Sequence, residues 1–300
     1  WMTAGVLAID KPAGPTSHDV VDAVRRALGV RRVGHFGTLD PFASGLLVLG
    51  IGPATRLAPF CVAHSKTYRA TVRLGATSDT DDASGVIHEA RVDAIPDRPS
   101  VEAACAAWVG SVLQVPPSFS AKHVGGRRAY ARARAGETVT LEAVRVEVES
   151  IEIERYAFPD LEILVRCGPG TYVRALARDL GEELGTGGLC EALRRLASGP
   201  FSVEEALALS SVEDPAALRA AVSPSWRAVA EFPAVHLDDE AGRAFAQGKE
   251  SRAEDPGLSP GWVRVRGPDG FLGMGEVVGS EEALRLRPRR VLFPEGEDRA

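Results

Sequence analysis

Gly34-His35-Phe36-Gly37-Thr38-Leu39-Asp40-Pro41 leads, after a short gap, into the apolar run Gly45–Gly52, GLLVLGIG. That run has the length and composition of a buried strand following an irregular turn. A carboxylate therefore sits in a glycine-punctuated loop at the edge of a core, five residues after a histidine. Gly34 and Gly37 open backbone conformations closed to other residues and let a ligand approach the main chain closely. Pro41 has a fixed φ and biases Asp40 toward an extended conformation. An acid held rigidly beside open space suits a nucleophile or a general base. An Asp before Pro also commonly does no more than cap a turn. The loop by itself leaves both readings open.

The chain has 300 residues, of which 45% are hydrophobic, enough for one large domain and a small one. Asp10 and Lys11 interrupt the apolar start too early for a signal peptide. The longest apolar run is about half of what spans a bilayer, so no membrane association is expected. Cys61, Cys105, Cys167 and Cys190 are scattered and form no CxxC pair. This argues against zinc and against a disulfide framework, and for a reducing cytoplasm. The net charge of −6 argues at face value against a nucleic-acid partner, but the footprint that matters is local. Arg25, Arg26, Arg31, Arg32 and Arg56 face a single intervening acid, Asp40, and Lys122, Arg127, Arg128, Arg132 and Arg134 lie in a stretch with none. Such runs form either a solvated face or a phosphate-gripping stripe.

Periodicity predicts a helix capped by Ser17, with Val20, Val21, Val24 and Leu28 on one face and Gly29 past its end. Strands are expected at Leu46–Ile51 and Thr67–Leu74, and a second helix at Val101–Val109 capped by Ser100. Thr138 to Glu154 alternates as a half-buried strand pair, and Leu161–Cys167 is a further strand. This strand turns through Gly168-Pro169-Gly170 into a helix that Thr171 can cap, with Arg174 in its first turn. Ligand crevices often lie where strands end and helices begin, although arginine is also the most ordinary of surface residues. From about Ala230 the pattern changes to a short helix (Asp239–Gln247) and short strands at Trp262–Arg266, Phe271–Val278 and, after Leu284-Arg285-Leu286, Arg289–Phe293. Mixed elements without βαβ alternation give an α+β class. No P-loop, no GxGxxG after a strand and no His/Cys metal cluster occurs in the sequence.

Several blocks, in order, resemble the motifs of the TruB family of pseudouridine synthases. The octapeptide resembles the family's active-site motif, and Lys11-Pro12-Ala13-Gly14-Pro15-Thr16-Ser17 its N-terminal KPxGxTS. Lys66-Thr67-Tyr68-Arg69-Ala70 resembles KxYxA, and Ser78–Gly85 the TDTxDxxG loop. Gln114-Val115-Pro116-Pro117 with Ser120-Ala121 and Tyr130 is similar to QxPPxxSAxK…Y, and Gly170–Gly181 to GTYxRxLxxDLG, followed by Leu193-Arg194-Arg195 as LRR. Phe36 stands where a small polar residue is more usual, and the lysine of SAxK falls at His123, one position after Lys122.

The resemblance implies a mixed or antiparallel central sheet flanked by helices, the pseudouridine synthase fold. A catalytic domain at 2–228 with an RNA-gripping insertion at about 114–136 would be followed by a β-rich PUA-like domain at 229–296. It implies isomerisation of uridine 55 in the tRNA T-arm by base flipping, a reaction that gains and loses no atom and so needs no cofactor or metal, in a cytoplasmic monomer with no obligate protein partner. Asp40 would be the essential carboxylate, Arg174 its partner, and Tyr68 a base-stacking residue or proton acceptor; by position alone Tyr68 is equally a core aromatic on a strand. His35 would fill the space left by the flipped nucleotide, and Asp82 would lie near the uridine. Gly37, Thr38, Leu39, Tyr172 and Leu193 fall in the motifs that line the substrate site, and Lys122, Arg127 and Arg128 would grip RNA. Lys11 and Lys66 serve either phosphate contacts or loop packing. Rival readings are a guide-dependent, dyskerin-like synthase and a non-catalytic RNA-binding or tRNA-folding protein.

Overall fold

The computed structural model describes residues 4–118, 141–252, 258–280 and 284–292, together with the backbone of 123–124 and 127–128. In chain order the elements begin with β1 (Gly5–Lys11), α1 (Ser17–Leu28), β2 (Val33–His35), β3 (Ser44–Ile51) and α2 (Ala58–Val62). Then follow β4 (Lys66–Leu74), β5 (Ala76–Ser78), β6 (Ile87–Glu89), α3 (Arg98–Ala107), β7 (Gly110–Gln114), β8 (His123–Val124) and β9 (Arg127–Arg128). Next come β10 (Val144–Ala157), β11 (Asp160–Cys167), α4 (Val173–Glu183), β12 (Gly188–Ser198), β13 (Phe201–Ser202), β14 (Leu207–Ala208) and α5 (Pro215–Ala221). The last are β15 (Ala234–His236), α6 (Asp239–Ala246), β16 (Ser251–Arg252), β17 (Gly261–Gly267), β18 (Gly270–Val278) and β19 (Arg285–Val291).

These elements form two compact units. One comprises the described residues of Trp1–Leu39, Leu46–Ala63 and Gly199–Ala300; the other comprises Asp40–Gly45 and His64–Ser198. In the second unit, strands run in the order β12-β4-β11-β10-β7, every neighbour antiparallel. Ser44 and Gly45 join this sheet in parallel against Arg194 and Arg195, so the sheet is mixed. Gly45 has φ 102°, and a Cβ there would lie 2.2 Å from the Arg195 carbonyl oxygen. Only glycine permits that approach. Helix α4 packs on β12, burying Val173, Leu176, Ala177 and Leu180.

In the first unit β14, β1 and β3 are neighbours, and β2 pairs with β3. The C-terminal strands form a five-stranded sheet, β15-β17-β18-β19-β16, around Val235, Phe245, Val263, Val265 and Leu286. Met274 and Leu292 instead enter the cluster that holds Phe36, Leu46, Val48 and Phe60. Phe60 meets Trp262 edge-on, ring centroids 4.9 Å apart, a favoured aromatic geometry.

Several local expectations are corrected. Thr16, not Ser17, caps α1: its hydroxyl accepts from Asp19 N while the Asp19 carboxylate accepts from Thr16 N, a reciprocal capping box. Asp97, not Ser100, caps α3, because its carboxylate reaches the Ser100 N–H. The alternating Thr138–Glu154 segment contains one long strand, β10, rather than a pair; its partners are β11 and β7, and 138–140 lie outside the described residues. Thr171 does not cap α4, which starts from Tyr172 with no side-chain cap. The last strand begins earlier than the expected Arg289: β19 runs Arg285–Val291 and takes in Leu286.

Phe36 is 3% exposed, and its ring covers Gly50, where a Cβ would meet the ring at 2.5 Å. The unusual aromatic in the octapeptide is thus a core residue. Phe36→Ala should cost about 3–5 kcal/mol by leaving a cavity over Gly50. Urea denaturation checks this; a loss below about 1 kcal/mol would mean that the ring is not holding the loop down.

Candidate active site

The octapeptide reaches Asp40 through two anchors. Phe36 N donates to Val48 O at 2.8 Å, extending the β2–β3 pairing by one residue. Ser17 then grips Leu39 from both sides: Leu39 N donates to Ser17 Oγ at 2.9 Å, and Ser17 Oγ donates to Leu39 O at 2.8 Å. Gly37, between these anchors, has φ 138°, a conformation that other residues rarely adopt. Just past Asp40, Ala43 N donates to the Asp40 carbonyl at 3.1 Å and closes a turn. The turn-capping reading is therefore half right: the backbone of Asp40 makes the turn, while its side chain points to Arg174.

Arg174 stands at the start of α4, its side chain 4% exposed. Its Nε lies 2.9 Å from Oδ2 of Asp40. Nη1 donates to the Thr80 carbonyl at 2.9 Å and lies 3.3 Å from Oδ2 of Asp82. Asp82 is equally buried, and its Oδ1 is occupied by its own loop. It accepts from Thr80 Oγ1 at 2.8 Å, Ser84 N at 2.9 Å and Ser84 Oγ at 2.5 Å. That leaves Oδ2 to face the guanidinium. A buried cation is expensive unless paired and hydrogen-bonded, and here Asp82 and Thr80 satisfy it from behind. Asp40, by contrast, keeps 36% of its side chain accessible. It is the one carboxylate of the three-residue set that an incoming molecule can touch.

The Ser78–Gly85 loop carrying Asp82 is itself braced. Cys190 N donates to Asp81 O, and Ala83 N to Cys190 O, tying the loop to β12. Asp81 adopts φ 61° and receives Nη1 of Arg178 at 2.9 Å; Nε of Arg178 bonds Asp179 at 2.8 Å. Burial raises both the Asp81 and Asp179 carboxyls, and the Arg178 charge pulls both back.

Tyr68 is half-buried on β4, opposite Arg195 of β12 and Val165 of β11. Burial raises its phenol above the ordinary value, while Arg195 opposes this by charge and by a hydrogen bond; the Asp40 charge is close enough to contribute a further upward push. The phenol is therefore protonated near neutral pH, and any role in accepting a proton has to be switched on by the bound reactant. Leu193, two pairs further along, is 8% exposed opposite Ala70.

The second unit thus gathers Asp40, Tyr68, Asp82, Tyr172, Arg174 and Leu193. Lys66 also belongs to it; it is 8% exposed and donates to His64 O at 2.5 Å. His35, Gly37, Thr38, Leu39 and Lys11 belong to the first unit, where Lys11 is fully buried and donates to Pro12 O at 2.8 Å and Pro15 O at 2.9 Å. For both lysines these bonds are the loop-packing alternative. Lys122 lies outside the described residues, as do the side chains of Arg127 and Arg128. Arg195, which the LRR block contains, was given no role from the sequence, yet it lies opposite Tyr68. In a β-strand an arginine reads as solvent-facing, and its 3% exposure comes from the β4 partner beside it.

The Tyr68 shift has a sign that alkaline unfolding can read. Free tyrosine ionises near about pH 10, so above that value the unfolded chain loses this proton before the folded one does. Folded stability then falls as pH rises through the window between the two values. Tyr68→Phe should lose less stability than the parent as pH is raised above about 10. Parallel losses would show that the phenol is not buried in solution.

The match to known proteins extends over nearly the whole chain. The model described as TruB family pseudouridylate synthase (N-terminal domain) matches residues 25–173. A tRNA pseudouridylate synthase B C-terminal domain matches 174–230, and a pseudouridine synthase II TruB C-terminal model matches 233–292. The tRNA pseudouridine synthase B of Thermobifida fusca is 46% identical over 278 residues, covering 90% of this chain and 92% of that protein. The Arthrobacter sp. (strain FB24) protein of the same name is 44% identical over 283 residues, again 90% and 92%. The archaeal box H/ACA sRNP Nop10–Cbf5 complex contains a chain of the same fold, with TM-score 0.75 at 24% identity, covering 98% of this chain and 88% of that one. From the motifs in order, the Asp40–Arg174 pair and these matches, the chain belongs to the TruB family of pseudouridylate synthases.

Proposed function

We propose that this enzyme isomerises uridine 55 in the T-loop of tRNA to pseudouridine. The observation that carries the reading is the accessible Asp40 carboxylate fixed by a buried arginine. The reaction breaks the C1′–N1 glycosidic bond and forms a C1′–C5 bond; a proton leaves C5 and one is gained at N1. Nothing is oxidised or reduced. Departure of the base leaves positive character on the ribose, which an adjacent carboxylate stabilises or captures. Asp40 acts on the sugar by bonding to C1′ or by taking the C2′ proton, and either route needs an ionised, oriented carboxylate. Arg174 supplies the orientation, and Asp82 keeps Arg174 in place. Tyr68 offers its ring face to the flipped base and its hydroxyl, backed by Arg195, to the proton movements. Extraction of the base from the folded T-arm costs about a few kcal/mol; His35, Gly37 and Thr38 serve that step from the octapeptide.

Residues 2–228 act as the catalytic domain and 229–296 as the PUA-like domain, in a cytoplasmic monomer that needs no guide RNA or protein partner. The arginines of the 114–136 insertion supply phosphate contacts that do not depend on base sequence.

Incubation with an unmodified tRNA transcript, followed by carbodiimide treatment and reverse transcription, tests this. The parent should place one pseudouridine in the T-loop without any added RNA or protein, and Asp40→Asn should place none while still binding the transcript. Arg174→Lys should lose roughly 10²-fold or more in single-turnover rate, since an ammonium cannot reproduce the fork geometry. Binding by the parent without modification would leave an RNA-binding protein instead.

A further inference from the structure

Arg174 acts at a distance set by where its helix begins, and that beginning is held by a residue outside the helix. Gln114 is the last residue of β7, paired in register with Val144 of β10, and its side chain is 1% exposed. Its amide faces the backbone of Tyr172: Tyr172 N donates to Oε1 at 2.9 Å, and Nε2 donates to Tyr172 O at 3.1 Å. Tyr172 is the extended residue from which α4 starts, with φ −106° and ψ 109°, and it carries no side-chain cap. The same Tyr172 carbonyl accepts the first helical bond, from Leu176 N at 3.1 Å. The planar amide thus pairs with the N–H and C=O of one residue as a neighbouring strand would, using one acceptor and one donor. A turn further on, Arg178 Nη2 donates to Val115 O at 2.9 Å, so the strand exit and the helix are joined at a second level.

We propose that Gln114 is a positioning residue for the reaction, acting through Tyr172 and Arg174 on Asp40. This rests on the pseudouridine synthase reading above. Glutamine meets the requirement because its amide offers an acceptor to the Tyr172 N–H and a donor to the Tyr172 carbonyl at once. Glutamate keeps the acceptor but sets a carboxylate oxygen against the Tyr172 carbonyl. Methionine keeps the volume and supplies neither bond. Loss of the pairing lets the first turn of α4 shift, and a displacement of about 1 Å at a catalytic pair costs up to roughly 10²-fold in rate.

The test is a double-mutant cycle on the full-length protein, with Gln114→Met, Gln114→Glu, Arg174→Lys and the Gln114→Met/Arg174→Lys pair. Single-turnover pseudouridine formation, tRNA Kd and thermal unfolding are read for each. Gln114→Met should slow the single-turnover step roughly ten- to hundredfold, with Kd within about twofold and unfolding still cooperative. Gln114→Glu should slow it similarly, and the double variant should be no slower than Arg174→Lys alone. Independent, multiplying losses would show that Gln114 does not act through Arg174 and would overturn the assignment. So would an unchanged rate, a defect confined to Kd, or loss of cooperative unfolding in both Gln114 variants. A parent that forms no pseudouridine overturns the functional reading and this inference with it; an active parent beside a full-rate Gln114→Met overturns the inference alone.

Discussion

The arrangement of the second unit depends on the burial of one guanidinium between two carboxylates of unequal exposure. Arg174 is nearly sealed, as is Asp82 behind it, and Asp40 is open. A cation in so dry a place cannot wander, because every alternative position leaves it unpaired at a cost of several kcal/mol. The loop that saturates Oδ1 of Asp82, the αL turn at Asp81 and the Arg178 bridge all follow from the need to keep that site intact. The orientation of Asp40 and the local stability are therefore the same set of contacts, seen from the open and the closed side.

Much of this was legible in the residues. Asp40 was marked by its glycines and by Pro41, Arg174 by its place just after a strand-to-helix turn, and the helix α1 by an apolar face ending at Gly29. What could not be read were features that depend on a distant partner. Arg195 looks like a surface arginine until β4 lies beside it. For Lys11 the spacing left phosphate contact and loop packing open, and the two carbonyls of its own loop that its ammonium meets are a packing contact no spacing announces. Asp82 could not be separated from Asp79 and Asp81 by spacing, since only the buried position of Arg174 distinguishes them. The caps were misassigned for a local reason: at Thr16-Ser17 two adjacent hydroxyls compete, and the reciprocal bond to Asp19 selects the first. Ser17 was then free for Leu39, a contact across 22 positions that no local pattern announces.

The sheet places the strongest constraints where it carries least side chain. Gly45 lies against the Arg195 backbone because no Cβ fits there, and that close pairing sets β12 so that Arg195 comes opposite Tyr68 and Leu193 opposite Ala70. Since a one-residue slip would turn every side chain to the other face, a position with no side chain fixes which residues of β12 look toward Tyr68.

Phe36 lies inside the octapeptide, yet the cluster that buries it also contains Met274 and Leu292, from the far end of the chain. The C-terminal sheet is consequently more than an appendage available for loss or exchange. A shortened descendant ending before β17 would leave Phe60 without Trp262 and open the cluster under Phe36 to water. The loop leading to Asp40 would then lose its footing without a single change in its own residues. Genes of this kind should tolerate insertions between the C-terminal strands far more readily than a stop codon ahead of them.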